Sequence, residues 1–165
     1  MKLKNLFIAI LFIGTLFSCS DDEPQDSSTP DSIIGAWTLT GVNYSGGNNF
    51  YTFEGEGSNY NGGLTFSENP NNFVGNSTFD VHVVTSVTGT EIQYEDDFEN
   101  QSIAGLEGTW TLEGNQLTFM GDGVDETPMA ISFSDNGNQL TLDGTTVRVI
   151  QGQEVPVRVI ATYVK

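Results

Sequence analysis

The feature that most constrains this chain is a period of two in its apolar residues, which recurs from residue 33 to residue 165. Runs of this kind are separated about every ten residues by glycine, asparagine and aspartate, the residues typical of turns. A strand with one buried face needs such alternation, whereas an amphipathic helix needs a period near 3.6. The same region has no sustained helical period. The sequence therefore predicts an all-β domain.

The clearest β-hairpin is predicted between residues 108 and 120, with a turn at 113–115. Apolar side chains alternate with threonines on both sides of that turn. The residues expected on its buried face are Trp110, Leu112, Leu117 and Phe119. The segment Gly-Asn-Gln-Leu-Thr, at 114–118, occurs again at 137–141. This repetition predicts the same kind of turn, followed by a strand, at both places.

Further strands are predicted at 34–43, 50–55, 63–66, 79–87, 91–94, 129–133 and from 140 onward. Flexible turns are expected at 45–49, 55–63 and 69–72, which are rich in glycine and asparagine. About ten twisted antiparallel strands in nearest-neighbour order tend to close, because closure removes exposed edges. We therefore predict one domain over residues 32–165, an antiparallel up-and-down β-barrel of about 8–10 strands.

A long C-terminal hairpin is predicted about a turn at 151–154. Alternation predicts that its valines share one face: Val147, Val149, Val155, Val157 and Val159. Arg148 and Arg158 would then lie near each other on the other face. Pro156 lacks an N–H group, which indicates an edge or an unpaired position.

Cys19, the only cysteine of the chain, follows a short basic segment and an apolar run at 7–17. Residues 16–19 resemble a bacterial lipobox, and the resemblance implies cleavage before Cys19 and lipid attachment to its thiol. The alternative is a transmembrane helix, but a span needs roughly 20 apolar residues and this run has about eleven. We predict a signal peptide at 1–18 and a lipid anchor on Cys19.

Residues 20–31 are polar and acidic and predict a mobile tether between the anchor and the barrel. Ser20-Asp21-Asp22-Glu23 resembles the signal that sends some Gram-negative lipoproteins to the cell exterior. The expected location is the outer membrane, with the protein lipid-anchored and exposed at the cell surface if that signal acts. Asp31-Ser32-Ile33 resembles a bacterial O-glycosylation motif, although chance explains three residues equally well.

The charge of the chain excludes one class of partner. Five basic residues oppose 22 acidic ones, for a formal net charge of −17. Affinity for phosphate backbones comes from Lys and Arg, so we expect no nucleic-acid binding. We expect a monomer whose contact with the membrane is through its lipid.

The residues offer little for catalysis. His82 is the only histidine, and alternation places it opposite the face of Val81 and Val83, in solvent. The sequence has no second histidine, and its one thiol is assigned to the lipid, so residues to complete a zinc site or a nucleophile–base pair are lacking. The acidic stretches 95–99 and 121–126 would suit Ca²⁺ by ligand type but lack the spacing of a calcium loop, and solvated turns are the alternative. We expect a non-catalytic protein without a cofactor.

Gly35-Ala36-Trp37 opens the first strand directly after the tether and resembles the start of a lipocalin-like domain. Segments 106–119 and 159–165 are similar to strands of short bacterial lipoproteins of that group, so the resemblance covers residues 33–165. It implies that Trp37 packs across a closed barrel end beneath an arginine, either Arg158 or Arg148. We expect no C-terminal helix like that of lipocalins within this sequence, because residues 163–164 are predicted to belong to a strand.

The resemblance implies binding of a small apolar ligand inside the barrel. The candidate inward residues, which ordinary core packing would explain as well, are Leu39, Phe53, Phe66, Phe79, Val81, Tyr94, Trp110, Leu112, Phe119, Ile131 and Phe133. The alternative function is a surface module with a filled core that binds a protein or a glycan. It would act through its acidic faces, or through Tyr44, Tyr51 and Tyr60 on long loops unless these only cap the rim.

Overall fold

The computed structural model describes residues 33–102, 107–122, 126–150 and 153–165. For residues 148–150 and 153 it describes only the backbone. The strands are β1 (Gly35–Gly47), β2 (Tyr51–Asn61), β3 (Gly63–Ser67), β4 (Asn72–Gly75), β5 (Thr78–Val87), β6 (Gln93–Ser102), β7 (Glu107–Glu113), β8 (Gln116–Met120), β9 (Met129–Ser134), β10 (Gln139–Ile150) and β11 (Gln153–Val164). Within these ranges no helix is long and apolar enough to cross a membrane.

The strands combine into a closed barrel of eight antiparallel arms. Strands β2 and β3 form one arm, since both pair with β1. Strands β4 and β5 form the next arm, and β6 and β7 the one after, because β5 pairs with β6 while β4 pairs with β7. The last strand, β11, pairs with β1 and closes the barrel. The prediction of an all-β, up-and-down, lipocalin-like barrel is confirmed.

The barrel wall has unequal height. Strands β8 and β9 have five and six residues, whereas β1 and β11 have 13 and 12. The turns at 68–71, 114–115 and 135–138 lie at one end, called here the closed end. On the side away from β8 and β9, the strands continue to turns at 48–50 and 88–92, the open end. This extended side, formed by β10, β11, β1, β2, β5 and β6, is called the tall wall.

Aromatic side chains fill the closed end. The rings of Phe73 and Phe119 are 4.6 Å apart between centroids, in an edge contact. Phe66 stacks on Phe119 at 5.9 Å and meets the edge of Trp110 at 6.0 Å. The Trp110 indole N–H is shared between the carbonyl oxygens of Ser67 and Asn72, each at 3.1 Å. These rings give the closed end a packed apolar core with its polar N–H group satisfied.

Two of the predicted turns are largely strand. Strand β1 continues to Gly47, and β2 covers most of the 55–63 segment expected to be flexible. A Cβ at Gly55 would lie 3.3 Å from both Tyr44 Cβ and Val83 Cγ2. Glycine stands there because neighbouring side chains occupy its space, so its presence does not indicate a turn. The short strand β4 and most of β6 were likewise missed.

The predicted face of the C-terminal valines is wrong. Val147 pairs with Pro156 and is 58% exposed, whereas Val155 and Val157 are buried. Arg148 pairs with Val155 and Arg158 with Thr145, which places the two arginines at positions of opposite parity. Successive residues alternate faces, so a one-residue difference in register reverses the whole set.

Candidate functional site

The inner face of the tall wall is the candidate site, and cross-strand pairing defines which residues share it. Tyr44 pairs with Val159 on one side and with Gly55 on the other. Gly55 pairs with Val83, which in turn pairs with Asp96 of β6. Directly paired residues project to the same side of a sheet. A continuous row therefore crosses the inside of the wall and ends at Asp96.

A bulge in β1 sets this row. The register shifts between Leu39 and Gly41. Leu39 and Val42 are both buried, although strict alternation would place them on opposite faces. The extra residue returns the alternation to the core, so that Tyr44 lies inward above Val42.

Strand β6 supplies the exposed part of the inner face. Its residues pair with the inward residues of β5, and these six are called the mouth surface: Val81, Val83 and Thr85 with Phe98, Asp96 and Tyr94. Tyr94 is 58% exposed and Phe98 is 47% exposed. Large apolar groups left in solvent on a concave face are a feature of binding sites.

A second apolar cluster lies beside the mouth surface. Phe53, Val155 and Val157 are its buried members. Tyr44, Tyr51, Val83 and Val159 are half-buried and pack against it. The inner face thus grades from a packed core at the closed end to partly exposed apolar groups at the open end.

The predicted inward residues divide by their level in the barrel. The buried ones in the main core are Leu39, Phe66, Phe79, Val81, Trp110, Phe119 and Ile131, and Leu112 and Phe133 are half-buried against them. Phe53 belongs to the second cluster. Of the predicted set, Tyr94 alone is exposed, and it lies on the mouth surface. Sequence reasoning missed Asp96 and Phe98, which the period of two from Tyr94 would have found had the strand been extended.

The three tyrosines of the alternative function do not lie on exposed loops. Tyr44, Tyr51 and Tyr60 are half-buried members of β1 and β2. The rings of Tyr44 and Tyr60 lie 6.3 Å and 6.5 Å from that of Phe79. The Tyr60 hydroxyl donates to the Gly57 carbonyl oxygen at 2.6 Å. These contacts assign Tyr44 and Tyr60 to the inner wall, so loop tyrosines do not support the glycan- or protein-binding alternative.

Trp37 lies at the closed end, but the cation above it is not an arginine. The indole is 1% exposed and its N–H donates to the Ile33 carbonyl oxygen at 2.6 Å. Lys165 Nζ lies 4.6 Å from the ring centroid. Arg158 instead binds Asp143 through two hydrogen bonds of 2.9 Å and 2.6 Å. Lys165 thus lies where an arginine was expected, because the register of β11 carries Arg158 to the outer face and Arg148 pairs with Val155, toward the open end.

Two buried hydroxyls lie in the core. The side chains of Ser77 and Tyr163 are both fully buried, and neither hydroxyl makes a well-formed hydrogen bond. Burial raises the pKa of Tyr163 to about 12, and the neighbouring Ser77 hydroxyl acts in the opposite direction. The Tyr163 phenol is therefore neutral at physiological pH and serves as core rather than as an acid or base.

His82 lies on the outer face, as alternation predicted. Its Nδ1 is 2.8 Å from an Asp97 carboxylate oxygen. This hydrogen bond is the main cause that raises the pKa of His82 above its ordinary value of 6.5, and the charges of Asp97, Glu95 and Glu56 add to it. Both side chains are well exposed, so the pair is a surface interaction and not a shielded catalytic dyad.

The His82 pKa provides a direct test of this contact. Because the folded pKa is raised, the protonated ring favours folding, and that stabilisation is complete at low pH and disappears as the pH rises through the raised value. An NMR titration of the ring should give a pKa above 6.5. Asp97→Asn should lower that pKa clearly, and Glu95→Gln should lower it less, since Glu95 acts only through its charge. An unchanged pKa in Asp97→Asn would contradict the contact.

Among the described residues, no group of three His, Cys, Asp or Glu side chains is placed to hold a metal ion. The 95–99 stretch belongs to β6, not to a turn, and the alternation of a strand divides its carboxylates between the two faces. Of the 121–126 stretch, residues 123–125 lie outside the described ranges, as do Cys19, Ser32 and the segments predicted as signal peptide and tether. Comparison of the chain with protein-family models, curated proteins and solved structures finds no match.

Proposed function

We propose that this protein is a non-catalytic binding protein, held at a membrane by lipid on Cys19, whose barrel binds a small and mainly apolar ligand at its open end. The observation that carries the proposal is the exposure of Tyr94 and Phe98 on the inner side of the wall. An apolar ligand lying there would cover both rings and contact Val81 and Val83 behind them.

The two ends of the barrel differ in a way that favours the open end. At the closed end, Trp37, Phe66 and Phe73 are each 1% exposed and pack into one core. Displacing such rings would cost several kcal/mol each. At the open end, the aromatic rings of β6 are already in solvent, so their burial by a ligand would contribute roughly 25 cal/mol per Å² of apolar area.

A neutral, environment-sensitive dye tests ligand binding at the open end. N-phenyl-1-naphthylamine should bind with a rise in fluorescence. The double variant Tyr94→Ala/Phe98→Ala should weaken that binding about tenfold or more, because each of the two aromatic contacts contributes roughly 0.5–1.5 kcal/mol. Val74→Ala is the matched control, because Val74 is an exposed apolar residue outside the mouth surface. Equal affinity in the double variant and in the control would contradict the proposal.

The anchor rests on the sequence around Cys19. Cys19→Ser should move the protein from the membrane fraction to the soluble fraction and remove incorporation of labelled fatty acid, since one or more acyl chains supply the membrane affinity. Replacing Asp21, Asp22 and Glu23 with alanine should keep the acyl label and reduce the share of protein accessible to protease on intact cells. Label incorporation that persists in Cys19→Ser would refute the anchor.

A further inference from the structure

A carboxylate lies between the two exposed rings of the mouth surface. Tyr94, Asp96 and Phe98 occupy alternate positions of β6 and pair with Thr85, Val83 and Val81. All three therefore project to the inner face, with successive residues about 7 Å apart along the strand. Their cross-strand partners are two valines and a threonine, none of which carries charge.

Asp96, unlike Asp80, Asp97 and Asp143, has no side-chain partner among the described residues. Asp80 accepts hydrogen bonds from Asn59 and Asn100, and Asp97 binds His82. Asp143 binds Arg158. Asp96 makes no hydrogen bond or ion pair with any residue in the described ranges. A carboxylate on an apolar concave face, flanked by aromatic rings, is a favourable neighbour for a cation.

We infer that the mouth surface selects an amphipathic cation, an amine or quaternary ammonium with an apolar tail. This inference rests on the proposed function and names the chemical class of its ligand. The Asp96 carboxylate would face the cationic head, and the rings of Tyr94 and Phe98 would receive it through their faces, which attract cations within about 6 Å. The tail would lie along Val81 and Val83, toward the second apolar cluster.

The net charge of the whole protein also favours a cationic ligand. With 22 acidic residues against five basic ones, the net charge is −17. Of the basic side chains that the structure describes, Lys165 lies over Trp37 at the closed end and Arg158 binds Asp143 on the outer face. Arg148, described by its backbone, occupies a position of β10 paired with Val155. A field of one sign raises the local concentration of oppositely charged ligands. The same field disfavours fatty-acid anions.

Three probes with the same dodecyl tail separate charge from apolar contact: dodecyltrimethylammonium, dodecyl maltoside and dodecanoate. Each displaces N-phenyl-1-naphthylamine from the protein, below its micelle concentration. We expect the cation to bind about tenfold more tightly than the neutral probe, and the anion to bind most weakly. Asp96→Asn should weaken binding of the cation about fivefold and leave the neutral probe unchanged within about twofold.

Glu95→Gln is the matched control, because Glu95 is adjacent in β6, also exposed, and pairs with Val84 on the outer face. It removes the same charge and should leave the preference for the cation intact. If the cation and the neutral probe bind equally, or if Glu95→Gln acts as strongly as Asp96→Asn, the inference is overturned while the proposed binding function stands. If neither the dye nor any of the three probes binds, both are overturned.

Discussion

Replacing Trp37 with alanine is expected to lower the free energy of unfolding by about 3–5 kcal/mol, the usual effect of removing a buried aromatic side chain. The indole is 1% exposed, lies 6.0 Å from the Phe133 ring and donates its N–H to the Ile33 carbonyl oxygen. Its loss would leave a cavity, an unpaired carbonyl oxygen and an uncovered Lys165. Urea unfolding of the full chain, followed by circular dichroism, measures the change.

Trp37→Phe keeps this test measurable if the alanine variant does not fold. It retains an aromatic ring but loses the N–H donor, so we expect a smaller loss of about 1–3 kcal/mol. Val74→Ala provides the surface reference, because Val74 is 54% exposed, and it should change stability by less than about 0.5 kcal/mol. If Trp37→Phe lowers the free energy of unfolding no more than Val74→Ala does, the indole N–H bond and the ring size do not contribute to stability at the closed end.

Gly63→Ala is expected to lower the free energy of unfolding by about 3 kcal/mol, at the upper end of the usual cost of overpacking. Gly63 pairs with Thr38 where β3 meets β1. A Cβ built there would lie 1.8 Å from the Trp37 carbonyl oxygen and 2.8 Å from its carbonyl carbon. Because both atoms are backbone, the new methyl group forces β1 and β3 apart beside Trp37.

Gly41→Ala is the matched control for this substitution. A Cβ at Gly41 would lie 3.4 Å from the Thr162 side chain, an ordinary van der Waals distance. The same atoms are added to a neighbouring glycine of the barrel, so we expect a change within about 0.5 kcal/mol. The urea unfolding midpoints of Gly63→Ala and Gly41→Ala measure this difference in stability. Equal losses would contradict the close approach of β1 and β3 as the cause, because the chain-entropy effect of Gly→Ala acts in the stabilising direction.

The closed end was largely predictable, because its strands obey local rules. The hairpin of β7 and β8 has Trp110 and Leu117 on its buried face, as alternation requires, and a glycine with φ of 62° in its two-residue turn, Gly114. The turn before β10 has three successive residues with positive φ, Asp135, Asn136 and Gly137. Turn residues and alternation are both visible within a few positions of the chain.

The open end was less predictable, since neither β2 nor β6 has the sequence pattern typical of a half-buried strand. In β2, Gly55 occupies an inward position that Tyr44 and Val83 fill from neighbouring strands. In β6, every residue is exposed, so the apolar–polar alternation of a half-buried strand is weak. The position of Asp96 on the inner face follows only from its pairing with Val83. Because the composition of β2 and β6 resembles that of turns, the sequence did not predict the part of the wall that forms the candidate site.

The sequence by itself determined that this chain is an acidic, all-β barrel with its turns at glycine and asparagine, because alternation and turn chemistry act over short distances along the chain. Only the tertiary structure decided which strands form the tall wall, that Lys165 and not an arginine covers Trp37, and that Asp96 faces inward between Tyr94 and Phe98. These features depend on the bulge in β1 and on the pairing of β1 with β11, the two ends of the domain. Register across such distant strands is set by closure of the barrel, and a shift of one residue exchanges the inner and outer faces.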